Sequence, residues 1–311
     1  NGIGFHVPEN FRGVLDVEHC WLQDGPSNNI RLAVKEFALK KGYSFFNLGA
    51  QQGFLRNLLI RTTTTGQVLV LVSFHDDEKE KIEEMLGFIA AQFPEITSLQ
   101  YVINPKRNDT IYDLENHVYK GEAHIIEQLG NYKFKIGPKS FFQTNSVQAK
   151  VLYDLTSEFA GLKSSDVVYD LYTGVGSIGI YVSGNCKKVA GIEQVEAAIA
   201  DAKENAALNG VQNCSFYAGD VRMVLQPDFI AQNGKPDVVI TDPPRAGMHE
   251  DVVKTLLELK APKIVYVSCN PATQARDLQI LCEKYLVTKV QPVDMFPHTP
   301  HIENVAQLVL Q

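Results

Sequence analysis

Cys269 lies in Tyr266-Val267-Ser268-Cys269-Asn270-Pro271, directly after the apolar run Lys263 to Val267, so its thiol emerges where a buried strand meets a loop. In α/β proteins that junction is where ligands meet reactive groups. Pro271 suits the first turn of a helix, which would set the sulfur near a helix N-terminus whose partial positive charge favours thiolate. Asp242-Pro243-Pro244-Arg245 follows a second apolar run, Val238 to Thr241, and Glu303 stands just before the last one. A thiol able to attack is a component of covalent catalysis, and Glu303 can lie beside the same sheet edge. Taken singly, a cysteine at a strand end is usually a small buried apolar residue, and that account fits Cys20, Cys186, Cys214 and Cys282.

A third signal points to a cofactor. Gly174-Val175-Gly176-Ser177-Ile178-Gly179 fits G-x-G-x-x-G after the run Val167 to Leu171, a context in which a ligand approaches the backbone closely. Glu193 ends the following strand, where a carboxylate can accept both ribose hydroxyls of an adenosine. Asp220 follows the third strand; it either bonds an adenine amino group or caps the next helix. A dinucleotide and S-adenosylmethionine would both use this pattern. The acid before the glycines separates them, because Asp170 would attract a cationic amino-acid tail and repel a pyrophosphate.

The elements that must carry these residues follow a regular β–α alternation from about residue 145 onward. Strands are expected at 167–171, 188–193, 213–217, 236–241, 263–268, 286–293 and 303–310, with helices near 145–161, 177–183, 195–208, 249–260 and 271–284. The fold class is α/β, a Rossmann-like domain over 141–311 with a seven-stranded doubly wound sheet whose Val- and Ile-rich strands are covered on both faces. Residues 1–140 form a smaller α+β domain. It has a hairpin over Leu55 to Phe74, a helix from Asn29 to Lys41, and a second helix that opens on a capping box of Asp77 and Glu80.

The chain has 311 residues, 45% of them apolar, which is enough for two cores. No apolar stretch approaches a membrane span, and the first residues do not read as a targeting segment, so the expectation is a soluble cytoplasmic protein without a membrane partner. Five scattered cysteines form no C-x-x-C pair, His298 and His301 lack metal-site spacing, and no metal is expected. A net charge of −7 argues against an overall nucleic-acid footprint. A local one remains open: Lys133, Lys135 and Lys139 beside Tyr132, Phe134, Phe141 and Phe142 could combine phosphate contacts with stacking, or could be an amphipathic strand with solvated lysines.

Together, Phe142-Gln143-Thr144-Asn145, Asp170-Leu171-Tyr172-Thr173-Gly174-Val175-Gly176, Asp242-Pro243-Pro244-Arg245, Ser268-Cys269-Asn270-Pro271 and His301-Ile302-Glu303-Asn304-Val305 resemble the RNA uracil-5-methyltransferase family, its bacterial 23S ribosomal RNA members most of all. The resemblance implies transfer of a methyl group from S-adenosyl-L-methionine to C5 of a uridine in structured RNA, with Cys269 as nucleophile and Glu303 as general base. It implies cofactor or base contacts by Gln143, Tyr172, Gly174, Ser177, Glu193, Asp220 and Asp242. Residues 1–140 would then contact RNA. Ser177 departs from the family's frequent asparagine. Many ribosomal members also carry an N-terminal β-barrel and a four-cysteine iron–sulfur site. Here Cys20 resembles only the last of those ligands, so no cluster is expected and the chain reads as a fragment lacking the barrel. The competing readings are a transfer-RNA enzyme, an amino-group methyltransferase of the Asp-Pro-Pro-aromatic type, and a silent RNA-binding module. Arg245 in place of an aromatic weakens the second, and intact Cys269 and Glu303 weaken the third.

Overall fold

The computed structural model describes residues 3–7, 10–23 and 25–311. The chain divides into two compact units, one of Asn1–Glu127 with Ile136–Lys139, the other of Gln128–Lys135 with Ser140–Gln311. The chain passes between them within a hairpin, so the division is interleaved there rather than a single cut.

In the first unit the described elements are β1 (Phe5–Val7), β2 (Asn10–Leu15), α1 (Ser27–Lys41), β3 (Leu55–Thr62), β4 (Val68–Phe74), α2 (Lys79–Gln92), β5 (Ser98–Ile103) and β6 (His117–Gly121). β3 to β6 form one sheet in sequence order, with only the β4–β5 pair parallel. β4 is buried along its whole length, and its Val68, Val70, Val72 and Phe74 pack with Ile30, Val34 and Ala38 of α1 and Met85, Leu86 and Ile89 of α2. The expected capping box does not form. Helix α2 starts at Lys79 with Glu78 as its cap residue, and no side chain caps it. The hairpin at the crossover is β7 (Ile125–Leu129) and β8 (Tyr132–Ile136).

The second unit continues with α3 (Ser146–Ala160), β9 (Val167–Leu171), α4 (Ser177–Val182), a 3-10 turn (Ser183–Asn185), β10 (Lys188–Glu193), α5 (Glu196–Leu208), β11 (Cys214–Ala218), α6 (Val221–Val224), α7 (Pro227–Asn233), β12 (Val238–Thr241), α8 (Glu250–Leu259), β13 (Lys263–Ser268), α9 (Pro271–Leu281), β14 (Tyr285–Val293) and β15 (Glu303–Leu310). Its seven strands lie in the order β11-β10-β9-β12-β13-β15-β14, parallel except for β15, which runs antiparallel to both neighbours. This is the doubly wound, Rossmann-like α/β sheet expected. One expectation fails: β14 is exposed over most of its length, because it is the edge strand.

Side chains alternate between the two faces of a strand. Tyr169, Leu171, Ala190, Ile192, Val239, Ile264, Tyr266, Ala306 and Leu308 enter one core with Val252, Val253 and Leu256 of α8 and Leu281 of α9. The intervening residues therefore face the side covered by α3, α4 and α5. Helix α3 presents Ala149, Leu152, Tyr153, Thr156 and Phe159 at helical spacing to that side, and its start is capped by Asn145, whose side chain accepts from Gln148 N–H at 3.1 Å.

Candidate active site

The alternation that builds the core also gathers the acids. Asp170 shares a face with Val168, Glu193 with Val189, and Asp242 follows Val238 and Ile240 in step, its N–H still bonded to Leu171 O at 3.3 Å. All three lie at or just past the C-terminal ends of parallel strands, on the α3 side. The β13–β15 ladder adds the rest. Its last pair is Ser268 with Asn304, and Cys269 and Glu303 are the next residues beyond that pair on the two strands. Glu303, Asp242 and Arg245 each act electrostatically on the thiol.

Burial dominates the electrostatics. The Cys269 thiol is pushed up by desolvation and then by Glu303 and Asp242, while Arg245 draws it back down. Burial, followed by the two acids, therefore acts against the thiolate that a helix N-terminus was expected to favour, and Arg245 acts for it. Glu303 is half-buried and raised by desolvation, with Arg245 opposing. Asp242 keeps an accessible edge yet is ringed by protein, and desolvation followed by Glu303 and Asp170 holds its carboxyl well above the ordinary range. Arg245 leans on His301 at 3.4 Å, and its carbonyl accepts from Asn270 Nδ2 at 3.2 Å and Thr273 Oγ1 at 3.3 Å.

The glycine turn suits a cofactor. Gly174 has φ +55 and nothing within 4 Å of where a Cβ would stand, so the turn is open above its backbone. Gly179 is different: a Cβ there would come within 2.9 Å of Asp170 Oδ2, and this close approach lets its N–H donate to that oxygen at 3.0 Å. Thr173 Oγ1 donates to the same oxygen. Asp170 Oδ1 is buried and has no partner, and burial raises the carboxyl to about 7. An unpartnered carboxylate oxygen beneath an open glycine turn fits the ammonium of an amino-acid tail. Tyr172 adopts φ +63, a left-handed conformation that costs a non-glycine residue roughly 1–2 kcal/mol. Such strain tends to sit at ligand clamps. Glu193 accepts from Gly174 N–H at 3.2 Å and Val195 N–H at 2.9 Å, which fixes its carboxylate at the mouth of the turn.

The remaining expected residues are placed as follows. Ser177 opens α4 and its hydroxyl meets Tyr153 OH at 2.8 Å. Gln143 is half-buried in the segment leading to α3. Asp220 caps α6 through Arg222 N–H at 2.9 Å and is held to about 2 by the Arg222 side chain and backbone, so an adenine amino group would have to share it. Lys135 pairs with Glu204 at 2.9 Å, and Lys139 donates to Leu114 O, while Phe134 is buried, which is the amphipathic-strand arrangement. Tyr153, Thr173 and Gln274 escaped the sequence reading. Only Thr173, inside the glycine motif, carried a local signal. A recess of about 850 Å³ belongs wholly to the first unit, lined by Phe46, Arg31 and Arg56 among others, and the thiol and acids described here all belong to the second.

This fold and turn define a class, the S-adenosylmethionine-dependent methyltransferases with a Rossmann-like catalytic unit. More narrowly, the profile of the tRNA (Uracil-5-)-methyltransferase family matches residues 54–310, and the chain belongs to that family. It is 56% identical to an uncharacterized RNA methyltransferase of Bacteroides thetaiotaomicron, covering 100% of this chain and 69% of the relative. A similarly named protein of Porphyromonas gingivalis is 53% identical, over 99% of this chain and 67% of the relative. Among solved structures, the Pyrococcus abyssi tRNA (uracil-54, C5)-methyltransferase in complex with S-adenosyl-L-homocysteine matches with a TM-score of 0.82 and 34% identity, over 99% of this chain and 73% of that chain.

Proposed function

We propose that the chain transfers a methyl group from S-adenosylmethionine to C5 of a uridine in structured RNA, giving 5-methyluridine. Our first reading of the substrate is 23S ribosomal RNA. The 34% identity to an archaeal transfer-RNA enzyme supports a second reading, transfer RNA. The observation that carries the proposal is the ladder register that ends at Ser268 and Asn304, with Cys269 and Glu303 the next residues beyond it and Glu303 acting electrostatically on the thiol.

The chemistry needs both groups. Uracil C5 is a weak carbon nucleophile until a thiolate adds at C6, which turns the ring into an enolate. When bound, S-adenosylmethionine supplies the electrophilic methyl group. Cys269 forms the C6–S bond. After C5 is methylated, Glu303 takes the C5 proton, the C–H electron pair restores the C5–C6 double bond, and the C6–S bond breaks to return the thiolate. Asp170, Tyr172, Gly174 and Ser177 would hold the amino-acid tail, with Glu193 and Asp220 at the adenosine. Gln143 and Asp242 suit uracil, whose N3–H donates and whose O4 accepts. The base must leave its stack to reach this edge.

RNA carrying 5-fluorouridine, incubated with the protein and S-adenosylmethionine, should give an adduct that survives denaturation, because fluorine cannot depart as a proton. Persistence of that adduct in Cys269→Ala would refute the assignment. Methylated nucleosides compared in ribosomal and transfer RNA, from cells with and without the gene, separate the two substrate readings.

A further inference from the structure

The side of the site formed by Cys269 is fixed locally. Asn270 caps α9 through Ala272 N–H at 3.1 Å, Ser268 Oγ and the Asn270 backbone bond each other at 3.1 Å in both directions, and the Asn270 side chain ties the loop to Arg245 O. Among the described residues, no side chain ties down the Glu303 backbone in this way. Glu303 is the first residue of β15 and follows an exposed loop. The ladders pair Glu303 with Val293 of β14, and Asn304 with Pro292 of β14 and Ser268 of β13; the contact added from outside the sheet is that of Gln274 with Asn304.

Gln274 is the fourth residue of α9 and is 1% exposed. Its Nε2 donates to Tyr266 O on β13 at 2.9 Å and to Asn304 O on β15 at 3.3 Å, and its Oε1 accepts from Asn304 Nδ2 at 2.5 Å. One carboxamide thus bridges the catalytic ends of both strands and grips Asn304 by main chain and side chain together. A buried amide satisfied this fully is costly to disturb, and it specifies a single arrangement of its partners.

We propose that Gln274 is a positioning residue that holds the Glu303 carboxylate over C5 of the substrate base by clamping Asn304 at the mouth of the β13–β15 pair. The inference rests on the reading of Glu303 as the base. It predicts a split effect: addition of Cys269 is governed by the Asn270 and Ser268 contacts and continues, whereas removal of the C5 proton slows.

The test uses the full chain with Gln274→Met, which keeps length and volume and removes the amide. Wild type on 5-fluorouridine RNA is the control, and its failure to form an adduct would refute the uracil reading rather than the clamp. Given that adduct, Gln274→Met should form it at a rate within a few-fold of wild type. On ordinary RNA from cells lacking the gene, its product release should slow about 10- to 100-fold, the scale set by small misplacements of a reacting group, and covalent protein–RNA complex should accumulate. Release at the wild-type rate, or equal loss of addition and release, would overturn the proposal. Should Gln274→Met show no folding transition, Gln274→Glu decides. Its carboxylate faces two carbonyl oxygens at neutral pH, so its release defect should lessen as pH falls and the acid regains a donor. A defect independent of pH counts against the clamp.

Discussion

Asp170→Asn should make the second unit sturdier above neutral pH and loosen its hold on the cofactor. In the folded chain the Asp170 carboxyl keeps its proton up to about 7, against an ordinary 3.8, chiefly because burial penalises its charged form. A group whose folded value is raised contributes stability that is complete below the unfolded value and is lost as pH rises through the folded one. The rise from 3.8 to about 7, at ~1.4 kcal/mol per pH unit, puts the loss at pH 8 on the order of 4 kcal/mol. Asparagine keeps an oxygen for Thr173 and Gly179 and never ionises, but it sets an unpartnered N–H₂ where Oδ1 now lies, costing about 1–3 kcal/mol. The amide cost is the same at every pH, so denaturation followed by circular dichroism should favour the variant over wild type by roughly 2–3 kcal/mol more at pH 8 than at pH 5, the part of the loss that falls between them. Calorimetry with S-adenosylhomocysteine should show the opposite penalty, about 10- to 100-fold weaker binding, as expected for losing a charge-assisted bond to an ammonium. Wild-type affinity should strengthen from pH 6 to pH 8 and the variant's should not. A stability difference equal at both pH values would refute the raised carboxyl, and unchanged affinity would refute its pairing with the amino-acid tail.

Two further outcomes follow from the same geometry. Gly179→Ala places a methyl 2.9 Å from Asp170 Oδ2 and 3.1 Å from Val189 Cγ1, so thermal melts should show a loss of about 1–3 kcal/mol, the usual cost of overpacking, and full stability would mean that the turn yields. Alkylation of Cys269 by iodoacetamide should keep accelerating as pH rises past the range of an ordinary thiol, and Arg245→Gln should move that profile higher still, since Arg245 opposes the rise. A plateau below pH 8 in either protein would contradict a thiol raised by burial and the nearby acids.

Much of the second unit was legible because its strands are apolar runs between turn residues. Val167–Leu171, Lys188–Glu193, Lys263–Ser268 and Glu303–Leu310 stand where the pattern puts them. Elements lacking that contrast were missed. β2 carries Asn10 and Gly13, β6 alternates weakly, and α6 and α7 are too short to show a helical period. The exposure of β14 was illegible for another reason: a strand's place at a sheet edge depends on partners distant in sequence, while its own exposed Leu286 and Val290 read as core. The site shows the same division. Cys269 and the glycine turn announce themselves by local context, and Glu303 only through the family resemblance of its neighbours. The thiol's raised protonation, the Tyr153–Ser177 contact and the Gln274–Asn304 pair arise only when segments far apart in the chain meet.

The reversed direction of β15 has a consequence for how this protein can change. A parallel strand of its eight residues would have carried its first side chain some 25 Å or so away from the neighbouring strand's tip, at about 3.3 Å per residue. Running the other way, it delivers that side chain to the tip itself, directly from the segment Asp294–Ile302. Met295 is buried and its carbonyl accepts from Asn145, but the exposed stretch around Pro297, His298 and Pro300 can be rewritten, and Glu303 will still arrive at the same place, because its address is set by the ladder behind it.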